Sequence, residues 1–313
     1  MLLAVACGPA VRLQTPSASS ASDQKAELFY ATEETRPGDR FPSPLVRGTV
    51  AGRPTLFIVD TGAQVSVVDA TLASLVHLAL APATAAKDPS STVVAIERTQ
   101  RPSLALEGWG PVTDRPAAVL PLPPELTKLG IGGIVSPQAI VEHGREVLLD
   151  LVNNELRSTV AGEAEPSASF GKGYALPLPR IDVCRYEDSG FSARSLVVTA
   201  TIDGIRSVIE LDTGASGTFA VSDSDLGRKL SSHPNAARAK ALGAAGPIET
   251  VLVTGVPLQL GSAETLGTIT VMPGTRDEHC GYEGRIGIES LRSCVLVLGE
   301  SGARGACGTT HAP

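Results

Sequence analysis

Aromatic residues make up only 4% of this 313-residue chain, with a single tryptophan. So small a supply leaves few platforms on which bases or sugars could stack. A basic excess is missing too: 26 Lys and Arg stand against 33 Asp and Glu, for a net charge of −7, and the cations form no stripe. The electrostatic footprint of a nucleic-acid partner is therefore absent. No apolar run reaches the roughly 18 residues of a membrane-spanning helix. The five histidines contain no His-Glu-x-x-His pair, and no serine stands in a Gly-x-Ser-x-Gly elbow, which removes support for zincin and serine-hydrolase chemistry. None of the five cysteines forms a Cys-x-x-Cys pair, and His279 adjoins Cys280 without a second ligand at a useful spacing. No metal and no cofactor are expected. Gly130-Ile131-Gly132-Gly133 lacks the third spaced glycine and the Lys-Ser/Thr ending of a phosphate loop and reads as structural. What is present is 42% hydrophobic residues, 32 glycines and 23 prolines. That composition suits a globular protein of many short strands joined by turns.

The most informative feature is a duplication. Asp60-Thr61-Gly62 and Asp212-Thr213-Gly214 are both followed by alanine and both preceded by an apolar, strand-like run. One such tripeptide arises by chance in roughly one chain in ten of this length, so it is the matched surroundings that carry weight. Gly52 precedes Asp60 by the same interval that separates Gly204 from Asp212, so strand, turn and strand fit before both motifs. Downstream, Gly133-Ile134-Val135-Ser136 and Gly284-Arg285-Ile286-Gly287 follow their aspartates at nearly the same distance. The repeat thus extends well beyond the tripeptide.

On these residues the chain resembles the retropepsin-like aspartic proteases, over roughly residues 45 to 158 and 190 to 299. In that family an apolar strand ends in Asp-Thr-Gly-Ala and a later apolar-apolar-Gly segment packs beneath it. The resemblance implies an all-β fold with short helices, built as two retropepsin-like lobes in one chain related by a pseudo-two-fold axis. It implies Asp60 and Asp212 as the catalytic pair, Thr61 and Thr213 as threonines bonded across the lobe interface, and Gly62 and Gly214 as tight turns. Gly243 and Gly246 are the candidate tip of a flap.

The chemistry accounts for these residue types. A water held between two carboxyls is deprotonated by one while the other, protonated, hydrogen-bonds the substrate carbonyl. Two acids so close cannot both ionise, so the pair shares a proton and supplies an acid and a base together. The expected activity is aspartic endopeptidase cleavage of an extended polypeptide. The alternative is a non-catalytic envelope lipoprotein that holds a peptide or partner protein in the same cleft.

Three positions depart from the family pattern. Ser136 stands where the second copy has Gly287, and the first flap interval, Ser90 to Glu97, has no glycine. Glu210 interrupts the second apolar strand two residues before Asp212, on that aspartate's side by alternation. There it either perturbs the pair or faces solvent.

Met1 to Cys7 ends as a bacterial lipoprotein signal would, with small residues before a cysteine, and Pro16 to Ser22 is a small, polar stretch suited to a tether. We expect an exported protein of the cell envelope or periplasm, attached to the membrane through a lipid on Cys7. The remaining cysteines, Cys184, Cys280, Cys294 and Cys307, allow three pairings; we favour Cys184 with Cys280 and Cys294 with Cys307. The expected organisation is signal and tether over 1–25, a first lobe over 40–160, a linker over 161–171, a second lobe over 172–300 and a flexible tail over 301–313. A short linker makes one lobe's effective concentration for the other high, so a monomer with intramolecular lobe pairing is expected.

Overall fold

Each Asp-Thr-Gly loop is the far end of a β-hairpin. In the first half Phe41–Val50 pairs antiparallel with Arg53–Val59, and in the second Phe191–Ile202 pairs with Ile205–Leu211. Ala51 and Gly52 join the first pair at φ 47° and 81°, and Asp203 and Gly204 join the second at 49° and 75°. Positive φ at both loop residues marks the type I′ turn, whose twist matches that of the strands it connects. The second strand of each hairpin ends in an unbroken buried run, Phe57-Ile58-Val59 and Ile209-Glu210-Leu211, because both its faces are covered.

The computed structural model describes residues 24–31, 41–82, 86–87, 93–94, 96–100, 103–112, 116–171, 175–188, 191–243 and 246–308. Cys7, the stretch Pro16 to Ser22 and part of the first flap interval lie outside them. Among the described residues the chain is mainly β, with four short α-helices.

The repeat continues with one topology in both halves. Ile131–Val135 runs parallel to Arg53–Val59, with Ile134 opposite Ile58, and Gly284–Ile286 runs parallel to Ile205–Leu211, with Arg285 opposite Glu210. A further strand, Val67–Asp69 or Thr218–Val221, pairs antiparallel with each of these and leads into a helix, Ala70–Leu75 or Asp225–Ser231. Asp69 caps the first helix through a bond from Leu72 N (3.0 Å), and Ser224 caps the second through one from Gly227 N (2.9 Å). After Ile131–Val135 the chain makes the 3₁₀ turn Pro137–Ala139, and after Gly284–Ile286 the helix Ile288–Leu291.

The two halves share backbone bonding. Arg145–Asp150 of the first pairs with Cys294–Leu298 of the second, Val147 opposite Leu298 and Asp150 opposite Val295. The sheet continues through Ala303–Gly308 to Ile181–Asp188 and on into the second hairpin. One core cluster runs from Phe57 and Leu149 to Ile209, Leu211 and Leu296, while a smaller one gathers Leu45, Ile58, Val67 and Ile131 in the first half.

Several boundaries differ from expectation. Ordered pairing begins before residue 40, since Lys25–Glu27 pairs with Glu155–Val160 and Phe29–Ala31 with Phe41–Val50. The stretch 161–171 is folded onto the sheet: Pro166–Phe170 is a 3₁₀ turn, and Phe170 packs on Leu148, Val295 and Val297. Within the stretch 301–313 expected as a flexible tail, residues 303–308 are folded, while 309–313 lie outside the described residues. Ala303–Gly308 is an interior strand bonded to Cys294–Leu298 on one side, and Ala175–Pro177 and Ile181 on the other. Its small residues are what so crowded a position admits, because a side chain at Gly305 would collide with Leu178 and Leu296. Cys307 lies directly across from Cys294 and is joined to it, and Cys184 is joined to Cys280.

Candidate active site

The parallel strand beneath each hairpin fixes the aspartate. Asp60 N donates to Val135 O and Asp212 N to Ile286 O, each at 3.0 Å. The two loops then meet by exchange of reciprocal bonds. Thr61 N donates to Thr213 Oγ1 (3.0 Å) and Thr213 N to Thr61 Oγ1 (3.1 Å), while each hydroxyl donates at 2.7 Å to the strand opposite, at Leu211 O and Val59 O. Both threonines are fully buried. Each short side chain therefore satisfies one donor and one acceptor that burial would otherwise leave unpaired.

This contact brings the carboxyls together. A Cβ added to Gly62 would lie 2.4 Å from Asp212 Cγ, and one added to Gly214 2.4 Å from Asp60 Cγ, so each acid occupies the space above the other loop's glycine. Asp60 Oδ1 accepts from Gly62 N at 2.7 Å and Gly214 N at 3.2 Å; Asp212 Oδ1 accepts from Ala215 N at 2.9 Å. Burial first, then the charge and hydrogen bond of Asp212, hold the Asp60 carboxyl well above the ordinary range.

Glu210 does not face solvent. It is fully buried, with Oε2 2.7 Å from Arg285 Nε, and Arg285 Nη1 in turn donates to Asp212 Oδ2 at 2.8 Å. Burial pushes Glu210 up to about 7, with Arg285 opposing. Burial disfavours the guanidinium charge, but Glu210 and Asp212 outweigh it and keep Arg285 protonated. The rings of Phe219 and Tyr282 flank that guanidinium at 5.7 and 5.9 Å.

Asp60 and Glu210 both bind protons more tightly folded than unfolded. Their stabilisation is complete below the unfolded values and is lost as pH rises through the folded ones. For Glu210 the window runs from 4.5 to about 7, a loss of about 3 kcal/mol. Melting temperature should therefore fall between pH 4.5 and 7.5, and less steeply in Glu210→Gln. An equal slope in parent and variant would refute this assignment.

Ser136 is buried and leaves Asp60's bond to Val135 intact, although its own Oγ has no hydrogen-bond partner among the described residues. At Gly287 a side chain would strike Gly217 O at 2.2 Å, so the glycine is needed only in the second half. Gly243 and Gly246 form the last rung of the hairpin Ala236–Gly243/Gly246–Leu260, and Val93–Val94, within the first flap interval, pairs with Ala86–Lys87 just before it. Cys184, His279 and Cys280 lie close together, but both sulfurs are in a disulfide and offer no thiolate to a metal.

Two contributors escaped the sequence. Gln138 is buried, and its Nε2 lies within bonding distance of Thr61 O (2.7 Å), Ala63 O (3.0 Å) and Arg194 O (3.1 Å), tying the first loop to the second half. Its only signal was a polar residue immediately after a helix-starting proline. Arg285 was visible as the counterpart of Ile134, just as Glu210 is the counterpart of Ile58. A matched change of two apolar positions to an acid and a base signals an ion pair.

A family model described as aspartyl protease matches residues 46–135, from the first hairpin through Asp60 to the end of the strand beneath it. No curated protein matches the chain.

Proposed function

We propose, from a chain whose residues 46–135 belong to the retropepsin-like aspartic proteases, that the protein is an endopeptidase in which Asp60 and Asp212 jointly activate a water. The observation that carries this reading is that each carboxyl sits over the glycine of the opposite loop. In the reaction the water oxygen bonds to the peptide carbonyl carbon as one carboxylate takes a water proton and the other carboxyl gives its proton to the carbonyl oxygen. The first proton then passes to the nitrogen as the C–N bond breaks, and a hydroxyl proton of the diol restores the second acid. Substrate is an extended polypeptide, held through its main chain. Both acids come from one chain, so a monomer suffices. The two disulfides are compatible with export, and we assign the protein to the cell envelope, held by a lipid on Cys7.

A second reading, a peptide-binding envelope protein, is favoured by one observation: Arg285 already neutralises Asp212. The test is cleavage of a mixed peptide library from pH 3 to 8 by protein lacking the first 25 residues, beside Asp60→Asn and Asp212→Asn. Each variant should lose about 10²–10⁴-fold in rate. Loss in only one would mean that the halves act separately, and no cleavage by folded parent protein would favour the binding protein.

A further inference from the structure

We propose that Arg285, braced by Glu210, is a positioning residue that fixes the negative charge of the aspartate pair on Asp212 and leaves the shared proton on Asp60. The inference rests on the two-aspartate reading and assigns each acid its role: Asp212 takes the proton from water, and Asp60 gives its own to the substrate carbonyl.

At equivalent places in the parallel ladder the first half has Ile58 beside Ile134 and the second has Glu210 beside Arg285. The fold at this point is satisfied by an apolar pair, so the ion pair is not needed to form it. Replacing such a pair by buried charges carries a desolvation cost that mutual attraction seldom exceeds by much. What the charged version adds is a directed cation. Arg285 reaches Glu210 through Nε at 2.7 Å and Asp212 Oδ2 through Nη1 at 2.8 Å, and a guanidinium held at one edge has little freedom to leave the other.

Asp60, Asp212, Glu210 and Tyr282 face this cluster, and Asp277 acts on Glu210 from the loop before Tyr282. Arg285 is a cation acting on both aspartates, and of the two it directly contacts Asp212. Asp60 instead receives two backbone N–H groups, which favour its charge less than a full cation in contact does. Near-symmetric loops thus present two unequal acids.

The test compares pH profiles of kcat/KM for the parent, Arg285→Gln, Arg285→Lys and the double variant Glu210→Ile/Arg285→Ile, which installs the first half's own pair. Removing the cation disfavours the singly ionised pair, so both limbs should move to higher pH in Arg285→Gln and in the double variant, by about one unit or more. Activity on the acid limb then falls about tenfold. Arg285→Lys should return the limbs toward the parent. A purely structural role would lower kcat at every pH with the limbs fixed, and that result would overturn the proposal. The double variant keeps the test open if Arg285→Gln does not fold. The carboxyl carbon-13 titration of Asp60, followed in the same four proteins, needs no turnover. A displaced titration without cleavage upholds the role of Arg285 and overturns the peptidase reading; superimposed titrations overturn the role of Arg285 even where cleavage stands.

Discussion

Gly62→Ala and Gly214→Ala are each expected to reduce cleavage at least about 100-fold in a protein that still folds. Neither glycine has positive φ, so alanine can adopt the backbone conformation and the effect is steric. The new methyl at position 62 would stand 2.4 Å from Asp212 Cγ and 2.6 Å from each of its oxygens, and that at 214 an equal 2.4 Å from Asp60 Cγ. Relieving such a contact moves a carboxyl by about an ångström, and misplacement of that size costs on the order of 100-fold. Gly267→Ala is the control, because a methyl there meets nothing within 4 Å. Peptide turnover measured beside a thermal melt separates loss of activity from loss of fold. Retention of more than a tenth of parent activity by either variant would show that the acids do not work as this pair.

Thr61→Val and Thr213→Val carry the second large expected effect, on stability. Valine fills the same space but removes the hydroxyl, leaving Thr213 N and Leu211 O unpaired in one case and Thr61 N and Val59 O in the other. A buried backbone group without its partner costs about 1–3 kcal/mol, so each substitution should cost roughly 2–6 kcal/mol. Against a usual total of about 5–15 kcal/mol that is a large fraction. Urea unfolding measures it. Thr→Ser at either position should restore most of the loss, since serine keeps the hydroxyl. The reciprocal bonding makes the two valine variants nearly equal, and a loss below about 1 kcal/mol in both would mean that water replaces the missing bonds.

What the sequence disclosed and what it concealed have a common physical basis. The Asp-Thr-Gly loops and the turns at Gly52 and Gly204 were legible because they are set by a few adjacent residues. The return strands at Ile131–Val135 and Gly284–Ile286 were legible because duplication exposed them twice. Glu210 could be placed on the side of Asp212 by alternation, and the duplication set Arg285 in the place of Ile134, but only the parallel register brings the two side by side. Ala303–Gly308 was misread because glycine and alanine suit a loose tail and a crowded interior strand equally well, and only its partners distinguish the two. Phe170 was overlooked within a polar stretch, though a lone aromatic is enough to pin a connection. Gln138 illustrates the general limit: a buried amide declares nothing until the carbonyls around it are known.

The rungs joining Arg145–Asp150 to Cys294–Leu298 bear on how this architecture could be divided. A chain severed near residue 165 would give one fragment with Val147, Leu148 and Leu149 along a bare strand edge, and another with Val295, Leu296 and Val297 along its complement. Such edges template pairing with any chain that offers a match. The fragments would either find each other and rebuild the seam without a covalent link, or stack on copies of themselves. The seam thus binds two recognisable halves into one folded unit.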